Sequence, residues 1–333
     1  MEKEKTRRFC VASCAEDGGA VFVELGADGI LAEKSRIPLF RPMWTELFRG
    51  QHGEMRLGAA LMTDPEVYAE CDCASGERLL GPTPTEGLEV CHFAKSGGDV
   101  YAANYESGSV ILIRDGEKSV RRDHPAPRKK SPERNPARQS KAHCHECLLS
   151  PDGRFVLVCD LGLDTIFVYD RDLNPVSSAE VPAGHGVRHA VFSEDGTKLW
   201  ALSELAGSVT EFLWNAADGT LARGGTVSLD PPDPKNADAA EIVLRGAHLY
   251  CSLRGESNCI VHLETDGEGL RVISRTPSGG RHPRAMTLTA DGRVLAVCNT
   301  FSDDFCLFRV GEDGELALFA SMKIKRPLCV QEL

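Results

Sequence analysis

The chain has 333 residues, with 38 lysines and arginines against 49 acidic side chains and a formal net charge of −11. That balance argues against broad binding to nucleic acid or to an anionic lipid surface, because each needs a basic face to displace counterions. A small anion held in a locally basic pocket remains possible. Hydrophobic residues at 42% and charged residues at 26% are those of a globular protein, and no stretch approaches the roughly 18 apolar residues of a membrane span.

Length alone would suggest about two domains, a prior that internal repeats override. The opening, Met1 to Arg8, is charged and lacks the apolar core of a secretory signal, so a cytoplasmic location is expected. The cysteine count is 13, an odd number, and most of them (Cys159, Cys251, Cys298 and Cys306 among them) sit inside apolar runs. In a reducing compartment these read as free buried thiols. Cys144-His-Glu-Cys147 has redox or zinc spacing. It has no second CxxC partner, however, and it runs on into an alternating strand, so it is read as structure.

In chain order, residues 8–35 (Phe9 to Ser13, then Ala20 to Leu25) and residues 55–80 read as two weak hairpin units. Val100 to Asn104 with Ser109 to Ile113 is a clearer one. From Arg114 to Lys141 the pattern lapses into a basic insertion with ten Lys/Arg, four Asp/Glu and four prolines. An insertion of this kind is either a solvated loop or a functional one. On the functional reading, Asn135 to Gln139 folds over a channel mouth, where Arg138 helps to bind an anion. Four stronger units follow: Asp152 to Asp160 with Thr165 to Tyr169, Asp195 to Ser203 with Ser208 to Phe212, His248 to Ser252 with Cys259 to Leu263, and Asp291 to Asn299 with Phe305 to Phe308. Each pairs two short β-branched or aromatic runs across a turn, three of them opening on Asp-Gly, which is a hairpin signal. No window sustains a helical period, so almost no helix is expected.

Asp152 and Asp195 stand 43 residues apart, and Asp195 and Asp291 stand 96 apart, room for two units. Hairpin repeats of this length are propeller blades, and at about 45 residues per blade the chain holds seven. The prediction is an all-β, single-domain, seven-bladed β-propeller over residues 1–333. Pro327 to Leu333 has inner-strand phase but no hairpin after it. It is expected to supply the inner strand of the first blade, closing the ring and removing sheet edges.

Seven residues before Asp152, Asp195 and Asp291 stand His145, Arg188 and Arg284. Equivalent positions on the innermost strands of different blades sit in a ring around the central channel, so these three should converge. Asn135-Pro-Ala-Arg-Gln139, His143-Cys-His145, Ser150-Pro-Asp-Gly153, Asp160-Leu-Gly-Leu-Asp164, Val187-Arg-His189, Ser203-Glu-Leu205, Leu253-Arg-Gly255, Gly280-Arg-His-Pro-Arg284 and Pro327-Leu-Cys-Val330 together resemble the seven-bladed propeller lactonases. These are the bacterial 6-phosphogluconolactonase type and their carboxymuconate-lactonising relatives. The resemblance is collinear from about Cys91 to the C-terminus and weak over residues 1–90.

The resemblance implies a site in the channel with His143, Arg188, Glu204 and Arg254 as catalytic residues. Two neighbours depart from the family pattern: Ser203 and Leu253 stand where asparagines are usual. Opening a phosphosugar lactone needs cations for the anionic group, a base to activate water and a donor for the developing oxyanion. His145, Arg284, His92, His189 and Arg138 are the expected substrate contacts, with Glu204 or a channel histidine as the base. His92 and His189, one residue into their strands, also fit hydrogen-bonded core groups. No cofactor and no metal is required, and the expected partner is a small phosphorylated or carboxylated lactone. The lactonising isomerase and a non-catalytic ligand-binding propeller are the alternative readings.

Overall fold

The computed structural model describes residues 6–127, 133–232, 237–265 and 269–333. Among them there is no helix. Twenty-eight strands form seven four-stranded antiparallel sheets. The innermost strands are Pro327–Glu332 in blade 1, Pro42–Arg49 in blade 2, Val90–Ser96 in blade 3 and Cys144–Leu149 in blade 4, followed by Val187–Phe192, Ala239–Arg245 and Pro283–Leu288 in blades 5 to 7. Each touches the next around a complete ring. The chain's last strand pairs with Arg7–Ser13, so blade 1 is assembled from both ends of the sequence. Arg7 ties the closure together. Its guanidinium meets Glu332 at 3.2 Å and Asp291 of blade 7 at 2.7 Å, holding the Asp291 carboxyl well below its usual range.

The sequence repeats are turn chemistry. In Asp152-Gly153, Asp195-Gly196 and Asp291-Gly292 the aspartate accepts a hydrogen bond from the N–H two residues on, at 3.0 to 3.1 Å, and also from a hydroxyl two residues back. The glycines adopt φ of 65° to 68°, which a side chain would resist. Second strands such as Phe155–Asp160 and Val294–Asn299 are buried throughout, whereas the outer strand Leu270–Pro277 alternates strictly. A sheet sandwiched between two others must be apolar on both faces, and its outermost strand on one only.

Each of the seven blade interfaces has its own apolar cluster. Cys144 and Cys147 lie in the one between blades 3 and 4, where burial pushes both thiols far above their usual range. All 13 cysteines are free. The CxxC spacing is packing.

Two expectations are refined. The insertion read from Arg114 begins later, because Glu117–Asp123 is the outer strand of blade 3. Its residues 128–132 lie outside the described residues. Blade 2, read as 55–80, has its inner strand at Pro42–Arg49, a mixed run without an Asp-Gly turn to mark it.

Phe305, fully buried and edge-on to Phe9 at 5.7 Å between ring centres, seals the junction of blades 7 and 1. Phe305→Ala should lower unfolding free energy by about 3–5 kcal/mol in a denaturant titration; a loss below about 1 kcal/mol would mean that this junction does not hold the ring.

Candidate functional site

Every inner strand slips by one residue or more against its neighbour at the same place, just after its start. The residues skipped by the ladder are Leu328, Met43, Cys91, His145, Arg188, Ala240 with Glu241, and Arg284. A β-bulge leaves its extra residue unpaired and re-aims its side chain. Here it turns Leu328, Met43, Cys91, His145 and Arg284 into one cavity of about 490 Å³ at the mouth of the channel.

A second sevenfold pattern builds the rim. The residue before each inner strand offers its carbonyl to an N–H in the turn after the second strand, at 2.8 to 3.3 Å. The N–H groups belong to Cys14, Met62, Tyr105, Leu161, Glu204, Arg254 and Thr300. All of these but Leu161 line the cavity. The residues whose carbonyls accept these bonds include Arg41, Glu89, Asp238, His282 and Arg326, all non-glycines at φ of 43° to 66°. Such conformations persist only where the surrounding structure fixes them, as this shared hydrogen bond does.

The cavity has two walls. Cys14, Met43, Met62, Cys91 and Leu328, from blades 1 to 3, supply the apolar part of one side, which Arg41, Glu89 and Arg326 also line. Opposite them stand His145, Glu204, Arg254, His282 and Arg284, joined by Arg138. Arg138 arrives on Asn135–Gln139, a turn pinned by Asn135 Oδ1, which accepts from the N–H groups of Ala137 and Arg138. Gln139 also donates to Asp164 at 2.7 Å.

Glu204 is buried among three guanidinium groups: Arg138 at 2.7 Å, and Arg188 and Arg254 each at 3.1 Å. The Arg188 Nε contact is an ion pair without hydrogen-bond alignment, and Arg188 also donates to the Ala240 carbonyl. Burial alone would raise the Glu204 pKa, but Arg254, Arg188 and Arg138 together pull it down to about 2. Burial, with Arg254 and Arg284 nearby, lowers Arg188 to about 10, still a cation at neutral pH. Arg254 also meets Asp238 at 2.5 Å.

Arg284 differs from these. It has no ion-pair or hydrogen-bond partner among the described residues, and burial beside Arg254 lowers its pKa. His145 carries an unpartnered Nδ1 and is held neutral by burial and by Arg188. His282, stacked on Phe301 with ring centres 3.8 Å apart, falls to about 3 through burial and Arg254.

The structure thus gathers Arg138, His145, Arg188, Glu204, Arg254 and Arg284, residues spread over nearly half the sequence. It places His143, His92 and His189 elsewhere. His143 precedes its strand instead of sharing a face with His145. It stacks on Tyr105 at 4.4 Å, sets Nδ1 3.1 Å from the Tyr105 carbonyl and stays out of the cavity lining. His92 and His189 lie one layer deeper, against Trp44.

Ser203 and Leu253 are buried inside the blades, each one position before a cavity residue, and Leu253 belongs to the apolar cluster between blades 5 and 6. Their departure from the amide pattern changes packing behind the site. Sequence reasoning missed Tyr105, Asp238, His282 and the two methionines. Tyr105 follows the last residue of its second strand just as Glu204 does, and that phase could have revealed it.

The profile of the family described as "Lactonase, 7-bladed beta-propeller" matches residues 70–332, and the chain belongs to that family. A protein of Lactococcus lactis subsp. cremoris (strain MG1363), described only as uncharacterized, is 32% identical over 257 residues, 72% of this chain and 73% of that one. The 6-phosphogluconolactonase of Bacillus subtilis (strain 168) is 27% identical over 279 residues, 79% of each. Among solved structures, the Pseudomonas aeruginosa periplasmic gluconolactonase superposes with a TM-score of 0.84 at 24% identity and covers 99% of both chains, a likeness of fold.

Glu204 supports stability when ionised. Its depressed pKa adds about 3 kcal/mol above pH 4.5, lost as pH falls through about 2. Glu204→Gln should be less stable than the parent by about 3–5 kcal/mol at pH 6, because it leaves buried guanidinium charge uncompensated. That gap should narrow as denaturant titrations are taken toward pH 2.5. A gap independent of pH would contradict the ion-pair assignment.

Proposed function

With membership of this lactonase family as the premise, we propose that the protein hydrolyses a sugar-acid lactone bearing an anionic arm, 6-phosphogluconolactone or a close relative. The observation that supports this reading is Arg284, a half-buried guanidinium with no ion-pair or hydrogen-bond partner among the described residues, beside Arg138, Arg188 and Arg254, which are already paired to Glu204. A charge partly withdrawn from water without a partner is costly unless a ligand supplies one. Arg284 therefore takes the phosphate, as a bidentate contact. The carbon skeleton lies against Met43, Met62 and Leu328, and Phe301 closes over the rim.

A carboxylate with a pKa near 2 is too weak a base to activate water at neutral pH. Glu204 serves instead to hold Arg138, Arg188 and Arg254 in place. His145, neutral and lining the cavity, is the base. It takes a proton from water as the oxygen attacks the ring carbonyl carbon, and an incoming dianion strengthens it by favouring imidazolium. The carbonyl oxygen becomes an oxyanion facing Arg254. It collapses as the ring C–O bond breaks, and the departing ring oxygen takes the proton from His145 to leave a hydroxy acid. The chemistry balances with water as the only co-reactant. The thirteen unpaired thiols support a reducing, cytoplasmic setting.

Steady-state hydrolysis tests this. The parent should open 6-phosphogluconolactone well above the spontaneous rate. Arg284→Ala should raise KM at least tenfold for the phosphorylated lactone and much less for gluconolactone. His145→Gln should lower kcat by about 10²–10³-fold. Parent turnover no faster than spontaneous opening would overturn the proposal.

A further inference from the structure

Beneath the cavity the channel changes character. The positions directly after the bulges form a second ring, occupied in blades 2 to 5 by Trp44, His92, Glu146 and His189, with Glu241 beside them in blade 6. His92, Glu146 and His189 are all buried, and each offers a donor atom within 4.8 Å of the others. None of the three belongs to the lactone-opening scheme.

Each donor is braced. Trp44 packs against the His92 ring with centres 4.1 Å apart, and the Ala190 N–H donates to Glu146 at 2.7 Å. His189 Nδ1 stands 2.7 Å from Glu241 Oε1, and with that carboxylate accepting the ring proton the Nε2 lone pair is open to a metal. A carboxylate behind an imidazole is the arrangement that orients metal-binding histidines. The other Glu241 oxygen has no partner, although the side chain is buried. Blades 1 and 7 fill the equivalent ring positions with Cys329 and Ala285, so the fold does not itself require imidazoles or carboxyls there.

We infer that His92, Glu146 and His189 form a binding site for one divalent transition-metal ion, of the Zn²⁺ or Co²⁺ class, in the channel floor, with Glu241 orienting His189. Two imidazoles and one carboxylate suit such borderline cations, and the remaining positions are left for water. Loading sets the three donor atoms, which now lie within 4.8 Å of one another, at the separations of about 3–4 Å that ligand bonds of about 2.0–2.2 Å require. It also gives up the long 3.4 Å contact from the Cys147 N–H to His92 Nδ1. Arg188, the guanidinium that acts most strongly on His189, is already compensated by Glu204, and Arg284 acts on His189 and Glu241 more weakly.

The test is metal binding by the full chain, independent of any hydrolytic activity. After dialysis against a chelator, titration with Co²⁺ should give visible d–d absorption saturating at one ion per chain, and Zn²⁺ should displace it. His92→Ala and His189→Ala should each abolish the band, with thermal melts confirming folded protein. Glu241→Gln should weaken binding by about 10–100-fold and keeps the assignment testable should either histidine variant fail to fold. Absence of a saturable Co²⁺ signal from the parent chain would overturn the inference, as would binding that survives loss of both histidines.

Discussion

A single backbone irregularity, repeated in all seven sheets, determines what faces the channel. An uninterrupted inner strand would send alternate side chains to the two neighbouring blades and leave the axis lined by whatever the pleat allowed. The bulge breaks that alternation once per blade at a fixed depth. In five blades it delivers one residue to the cavity above, and the residue after it joins the ring below. The hydrogen bond from the second-strand turn to the residue before each inner strand adds a third layer. Three stacked rings of seven positions result, and the chain's chemistry is written by which amino acid occupies each slot.

That arrangement explains an otherwise improbable concentration of charge. Four arginines and one glutamate meet in the channel of a protein with an acidic overall balance. Mutual repulsion among the guanidinium groups is answered chiefly by Glu204, which gathers three of them and loses most of its basicity in doing so, while Asp238 also pairs with Arg254. The remaining one, Arg284, has no ion-pair partner among the described residues. The wall opposite carries methionine, leucine and cysteine, with Arg41, Glu89 and Arg326 among them. The imidazoles stay neutral in this field, which keeps them available as proton acceptors.

Much of this was legible in the sequence because strand length between the inner bulge and the hairpin turn is constant. Counting back from the Asp-Gly turns found His145, Arg188 and Arg284 without any coordinates. The same regularity placed the closing C-terminal strand. The failures share a physical origin. Blade 2 carries no Asp-Gly turn, so its inner strand at Pro42–Arg49 had no marker. Glu117–Asp123 is an outer strand, half exposed and rich in charge, and looks like loop. A simple two-residue alternation would put His143 on the same face as His145, whereas a bulge shifts that phase by one. Glu204 came only from family resemblance, since an acid in a turn is ordinarily solvated, and its three arginine partners are far away in sequence.

The central claim is that Arg284 is the unfilled cation awaiting an acidic ligand. It is tested most directly by a crystal structure of the complex with 6-phosphogluconate, the hydroxy acid that lactone opening would release. The account predicts phosphate oxygens within hydrogen-bond distance of the Arg284 guanidinium and the carbon chain against Met43 and Met62. Phosphate bound outside the channel, with Arg284 untouched at full occupancy of the ligand, would contradict it.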